Sequence, residues 1–310
     1  MKKINVVISG LLYPVTMLHY FWRAFERKSD VDLAVIGPYF DDWIPWSNGI
    51  TLPKRYVKVP TVALPRQLAN MRPNHIVIQS QLPDKFQHPD LWLQIDAGWH
   101  LGDRPDAGIV AHIQTDPHVL KEHYKTPKAY SDYSFSMQCD YMQDNEIYLP
   151  YAYDRELHYH MDIPKKYDGC LIGLQYDHRV ALINKIKSKG YNIYSNIGDV
   201  YDEYRILYNE SRIAISWSSL NDTPARVFEA FGMKIPLLCN RTSDLNKLGY
   251  KEYDNYIGFN GIDEAVDGFE YLLNNYDDAL KMANSSYEIA SEQDTWDARC
   301  NRILEVVGLL

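Results

Sequence analysis

The chain has 310 residues, 46% of them hydrophobic and 24% charged, with a formal net charge of −9. That is enough apolar material for a globular protein of one large or two ordinary domains, and two fits better. The acidic balance argues against a protein whose main partner is nucleic acid, since neutralising phosphates needs a basic surface. There is no run of 18 apolar residues, so no transmembrane span is expected.

The first ten residues resemble a secretion signal only superficially, because the apolar run is short and no small-residue cleavage site follows. Lys3 to Ser9 reads as a buried strand that ends at Gly10. Residues 14–28 have helical spacing and end basic, and Val31 to Ile36 predicts the next strand. Residues 39–60, rich in Trp, Pro and Tyr, predict an ordered loop, and Thr61 to Asn70 a helix. Strands are expected at His75 to Gln79, Leu91 to Asp96, Gly108 to Gln114, Tyr133 to Ser136 and Glu146 to Leu149. This alternation predicts a doubly wound α/β domain over residues 1–150.

Tyr151 to Lys166 is irregular and marks a boundary. The pattern then restarts. Strands are expected at Tyr167 to Gly173, Asn192 to Asn196, Arg212 to Trp217, Ile235 to Cys239 and Tyr256 to Phe259, with helices between them. The second half is therefore a second βαβα domain, over residues 151–294. Residues 295–310 form a closing helix expected to pack back on the first domain. Two such domains place a ligand cleft between the carboxyl ends of their sheets. Four widely spaced cysteines, none in a C-x-x-C pair, suit reduced thiols in a cytoplasmic protein.

The most informative stretch is Thr223 to Cys239. Thr223 suits an N-cap, Pro224 the first helical position and Gly232 the left-handed C-terminal position. Arg226 and Glu229, three apart, share one helix face, while Val227, Phe228 and Phe231 can pack on a sheet. The pair reads either as a solvated ion pair or as charges presented to a ligand. In the first half, two polar clusters follow apolar strands: Asp96-Ala-Gly98-Trp99-His100 and His112-Ile-Gln-Thr115-Asp116-Pro-His118. Each combines a carboxylate with imidazole, as general acid–base work needs, though loop caps use the same residues. His100, His112 and His118 match no metal-ligand spacing, so no metal site is expected. Asp30-x-Asp32 opens a buried strand and reads as structural, and His158-Tyr-His160 as a solvated pair.

Three stretches of the second half, and the linker that leads into it, resemble the CgeB/YkvP-like branch of glycosyltransferases with the GT-B fold. They are Asp168 to Arg179, Trp217 to Gly232, Asp294 to Leu304, and the linker Leu149-Pro150-Tyr-Ala-Tyr-Asp154. The resemblance spans roughly residues 149–304. It implies two Rossmann-like domains facing each other across a cleft, and transfer of a sugar from a nucleoside diphosphate sugar, UDP-sugar first, to an acceptor hydroxyl without a metal. It implies donor binding by Gly173, Arg179, Asn221, Asp222, Arg226 and Glu229, with the arginines on the diphosphate and Glu229 on the ribose. Asn221 stands where the family usually carries a second acid. Asp116 is the expected base, with Asp96 and His118 as alternatives, and Gly10 and His100 face the acceptor. A glycan, a protein, a small molecule or a modified DNA base can serve as that acceptor. The competing readings are a sugar-nucleotide epimerase or phosphorylase of the same fold, and a non-catalytic nucleotide- or carbohydrate-binding protein.

Overall fold

The computed structural model describes residues 3–44 and 58–310. The chain divides into two compact units, residues 1–150 with 299–310, and residues 151–298. Residues 45–57 of the expected loop lie outside the described residues.

The first unit is built on seven parallel strands: β1 (Ile4–Ser9), β2 (Val31–Pro38), β3 (Val62–Leu64), β4 (Leu91–Asp96), β5 (Ile109–Gln114), β6 (Tyr133–Ser136) and β7 (Ile147–Tyr148). Their order is β3-β2-β1-β4-β5-β6-β7. Val6, Val7 and Ile8 are fully buried, which explains why β1 is continuously apolar and not alternating. Helix α1 (Met17–Glu26) starts at Thr16, whose hydroxyl accepts from the His19 amide, and packs Phe21 and Phe25 inward.

Two sequence expectations fail here. His75–Gln79 is a helix, α2, because the Asn74 side chain accepts from the Ile76 amide and caps it. A short apolar run carries no periodicity that separates the two states, and the cap decides. Thr61 to Asn70 is not one helix: Val62–Leu64 pairs with β2 before Pro65, and only a 3-10 turn follows. Helix α3 (Lys125–Tyr130) lies between β5 and β6.

The second unit has five parallel strands: β8 (Tyr167–Ile172), β9 (Ile193–Asn196), β10 (Ser211–Ser216), β11 (Leu237–Asn240) and β12 (Ile257–Phe259). Their order is β12-β11-β10-β8-β9. The helices are α4 (Asp177–Ser188), α5 (Asp202–Asn209), α6 (Ala225–Gly232), α7 (Ser243–Lys247), α8 (Ile262–Asn274) and α9 (Tyr276–Gln293). Leu171, Leu182, Ile186, Ile213, Ile215 and Phe269 form the centre of its core. Helix α10 (Trp296–Val306) begins in this unit, and from Arg299 onward it belongs to the first. There Arg299 Nε donates to the Pro150 carbonyl at 2.7 Å. Among the described residues, no helix is long and apolar enough to cross a membrane.

Helix α6 differs in detail from its sequence reading. Pro224 occupies the N-cap, one residue later than expected, because the Thr223 hydroxyl is engaged with Thr242 Oγ1 at 2.6 Å and Asp244 Oδ2 at 3.2 Å. Gly232 is not the left-handed residue; Lys234, at φ 55°, is. Gly232 is required for contact instead. A Cβ there would lie 2.4 Å from the buried ring of Tyr153. Gly232→Ala is therefore expected to destabilise the protein by about 1–3 kcal/mol in chemical denaturation, as overpacking does. An unchanged unfolding midpoint would contradict this packing.

Candidate functional site

In the second sheet, β9 and β10 follow each other in sequence but flank β8 on opposite sides. Winding reverses there, and open α/β sheets bind ligands beyond the carboxyl ends of the strands at such a point. The loops at that point carry most of the charged residues singled out in the sequence. Gly173, directly after β8, has φ +148°, and a Cβ on it would lie 2.3 Å from Arg226 Nη2 and 3.7 Å from Arg179 Nη1. Only glycine lets the two guanidinium groups close on this turn.

Arg179 is 5% exposed. Its Nε donates to the Trp217 carbonyl at 2.5 Å, its Nη1 donates to the Leu174 carbonyl at 2.9 Å, and it lies over the Tyr176 ring. Burial, and then the charge of Arg226, push its pKa down to about 10. Arg226 is held differently. Its Nε and Nη1 are buried and have no hydrogen-bond partner. Burial opposes its charge, but Tyr208, Tyr204 and Glu229 more than offset this and raise its pKa above the ordinary arginine value. Neither arginine has a carboxylate within 4.0 Å among the described residues. The surface ion-pair reading of Arg226 and Glu229 therefore fails.

Glu229 is 7% exposed, and a different set of residues holds it. Tyr204 Oη donates to its Oε2 at 2.5 Å, and His158 Nε2 lies 3.6 Å from its Oε1. The Asp154 amide donates to His158 Nδ1, which leaves the proton on the nitrogen facing Glu229. Burial, with Glu229 beside it, raises the Tyr204 phenol well above its ordinary pKa. His158, expected from the sequence to be solvated, is 2% exposed. No local signal marks it; it follows Asp154 by four residues in an irregular segment. Asn221 is exposed at φ 63°, and Asp222 Oδ1 accepts from the Leu220 amide at 3.2 Å. The β10 loop is pinned behind them by Asn240, which accepts from the Ser218 amide at 2.7 Å.

The first unit reverses winding between β1 and β4. Gly10 follows β1, and a Cβ on it would lie 2.3 Å from the Ile95 carbonyl. Asp96 ends β4 and is fully buried. It accepts from the Gly98 amide at 2.8 Å and from His123 Nε2 at 2.9 Å, and His112 Nε2 lies 3.4 Å away. Burial would raise its pKa, but His112 and His123 outweigh it and hold the carboxyl down at about 2. His100 donates from Nδ1 to the Leu101 carbonyl, and burial lowers its pKa to about 4. Arg72 joins the group: its Nε donates to His100 Nε2 at 3.2 Å, and its Nη2 lies 3.0 Å from His123 Nδ1. Arg72 and His123 escape a sequence reading because they lie on loops far along the chain from Asp96.

The donor atoms of Asp96, His100 and His123 lie within 4.8 Å of one another, close enough to surround a cation. However, Arg72 already contacts one nitrogen of each imidazole, and a cation would have to displace a positive charge. Asp116 is only half-buried, and its Oδ2 accepts from Thr115 Oγ1 at 2.8 Å. His118 sits apart from the Asp96 group, with its ring 5.4 Å from Tyr141. His112 is fully buried and has no access to a ligand. Asp32 pairs with Lys3 and Lys85 at the opposite end of the sheet.

Residues 155–305 match the family model described as glycosyl transferase-like. No curated protein matches the sequence. Solved structures do match the fold. Sucrose-phosphate synthase from Thermosynechococcus elongatus superposes with a TM-score of 0.65 at 9% identity, covering 98% of each chain. An alpha-glucosyltransferase in complex with UDP and a 13-mer DNA gives 0.64 at 10% identity, covering 99% of this chain and 100% of that one. A glycosyltransferase from Rickettsia africae gives 0.62 at 11% identity, covering 99% and 98%. The chain has the GT-B fold of these glycosyltransferases.

The buried group at Asp96 makes the fold acid-sensitive. His100 is favoured neutral, so its contribution is complete above about pH 6.5 and is lost as pH falls toward about 4. Asp96 is favoured ionised, so its contribution is complete above about pH 4 and is lost as pH falls through about 2. Asp96→Asn is expected to cost roughly 2–3 kcal/mol at neutral pH and to flatten the stability profile between about pH 4 and 2. A profile parallel to that of the wild type in urea titrations across pH would contradict this assignment.

Proposed function

We propose that the protein transfers a sugar from a nucleoside diphosphate sugar to an acceptor hydroxyl, as the CgeB/YkvP-like resemblance implies. The observation that carries this is the Gly173 turn, where the half-buried Arg226 lies beside Arg179 with unbonded N–H groups and no carboxylate within 4.0 Å among the described residues. Such a site suits a diphosphate: planar guanidinium groups match phosphate geometry, and their charge counts most where water is excluded. Breaking the sugar C1–oxygen bond leaves negative charge on the departing diphosphate, which Arg226 stabilises in place, with Arg179 behind it.

Glu229, fixed by Tyr204 and His158, suits the two vicinal hydroxyls of a ribose. UDP is the nucleotide bound in the matched alpha-glucosyltransferase structure, and uridine diphosphate is our assignment for the donor's nucleotide. Asn221 and Asp222 flank the start of α6, and we assign them to the sugar. In the first unit Asp116 has the exposure that a base for the acceptor proton needs. Asp96, fully buried, acts as a positioning residue that holds His123 and, through it, the exposed Arg72. The net charge of −9 weighs against DNA as the acceptor.

UDP is expected to raise the melting temperature of the wild type, because it binds only the native state. Arg226→Ala is expected to weaken UDP binding about 10- to 100-fold, the usual loss when a charged hydrogen-bond donor is removed. Glu229→Gln is expected to remove the preference for UDP over 2′-deoxy-UDP while leaving diphosphate binding in place. No stabilisation by UDP or by a panel of UDP-, GDP-, ADP- and TDP-sugars would contradict the reading.

A further inference from the structure

The second unit holds another polar cavity, on the edge of its sheet opposite the Gly173 turn. It is an open groove of about 640 Å³ lined by Lys251, Tyr253, Asp254, Tyr271, Lys281 and Ser285. The segment 249–255 leads into β12, and Tyr271 lies near the carboxyl end of α8, which leaves the far end of β12. The cavity therefore opens at the amino ends of the strands, not at the ends that carry Gly173 and Trp217. Its size is within the range of small-ligand sites, ~300–1,000 Å³.

We propose that this groove binds carbohydrate, independently of the nucleotide site. Tyr253 and Tyr271 form its aromatic wall, 60% and 40% exposed, with ring centroids 5.9 Å apart and planes at 85°. Tyr253 sits at φ 67°, a conformation that bulky side chains rarely adopt, and its ring buries little, so packing gives no reason for an aromatic there. The loop that presents it is tied down by hydrogen bonds. Asn255, 3% exposed, accepts from the Lys251 amide at 2.8 Å, donates to Ser285 Oγ at 3.0 Å, and its carbonyl accepts from Ser286 Oγ at 2.6 Å.

The charges of the groove select the ligand class. Lys251 and Lys281 balance Asp254 and Asp278, and Lys281 is already paired with Asp278 at 2.7 Å. No excess positive charge is left to hold a phosphate. Among the described residues, the hydroxyls of Tyr253 and Tyr271, the Lys251 amine and the Asp254 carboxylate make no bond within the protein. Donors, acceptors and two ring faces in an open, electrically neutral groove suit a pyranoside, whose C–H face stacks on tyrosine while its hydroxyls bridge acid and amine. A glycan held there is tethered to the protein and raises the local concentration of its free ends.

The test uses the full chain titrated with maltohexaose, cellohexaose and chitohexaose by calorimetry and saturation-transfer NMR, with and without saturating UDP. At least one hexasaccharide is expected to bind, to stay bound when UDP is added, and to lose about tenfold in affinity in Tyr253→Ala and in Tyr271→Ser. Both variants are expected to keep the wild-type response to UDP, which shows that they are folded. Tyr271 lies on a helix, so its variant stands if the Tyr253 change disturbs the loop. Failure of all three hexasaccharides to bind, wild-type affinity in both variants, or displacement by UDP would overturn the proposal. Tyrosine-dependent glycan binding in a protein that ignores every nucleotide would keep the groove and remove the transferase reading.

Discussion

Two guanidinium groups share one glycine turn in this protein with no carboxylate within 4.0 Å of either among the described residues. Buried polar groups are tolerated when they are paired, and the buried Nε and Nη1 of the half-buried Arg226 are not. Its neighbours are two tyrosines and, farther off, Glu229, whose oxygens face Tyr204 and His158 instead. Much of the second unit follows from that arrangement. Gly173 must lack a side chain, Trp217 must offer its carbonyl to Arg179, and α6 must begin where Pro224 turns it across the end of β8. A half-buried turn that leaves guanidinium N–H groups unbonded has its bonding capacity in place before any anion arrives.

The first unit handles its buried charge the opposite way. Asp96 is surrounded by donors, and the chain of contacts runs from the carboxylate through His123 to Arg72 at the surface. Every member of that chain has a partner, so it fixes geometry where the second unit leaves bonding capacity open. Both constellations occupy the same place in their own sheets, the point where strand order reverses. The topology of parallel sheets thus places both polar clusters, and the local chemistry divides their tasks.

Much of this was legible in the sequence. Continuous apolar strands ending in Gly10 and Gly173 marked parallel sheets, and the restart after Tyr151 marked the second βαβα half. Arg226 and Glu229 are marked in the sequence as a charged pair on one face of an apolar helix, a pattern that fits a solvated ion pair and a ligand site equally. What the sequence hid was mostly nonlocal. His158, Tyr204, Arg72 and His123 join their sites through loops and neighbouring helices, and nothing in their immediate surroundings marks them. Gly232 had a real requirement but a different one, because Tyr153 comes to it from an irregular segment 79 residues earlier. The helix at His75 looks like a strand in the sequence because a five-residue apolar run has no period, and the Asn74 cap that decides it is a single side chain.

The central claim is that the turn at Gly173 receives a nucleoside diphosphate. A crystal structure of the protein grown with UDP tests it most directly. The account predicts diphosphate oxygens within hydrogen-bond distance of Arg226, with the ribose hydroxyls on Glu229. UDP bound away from the Gly173 turn, or a diphosphate that leaves Arg226 without a contact, would contradict it.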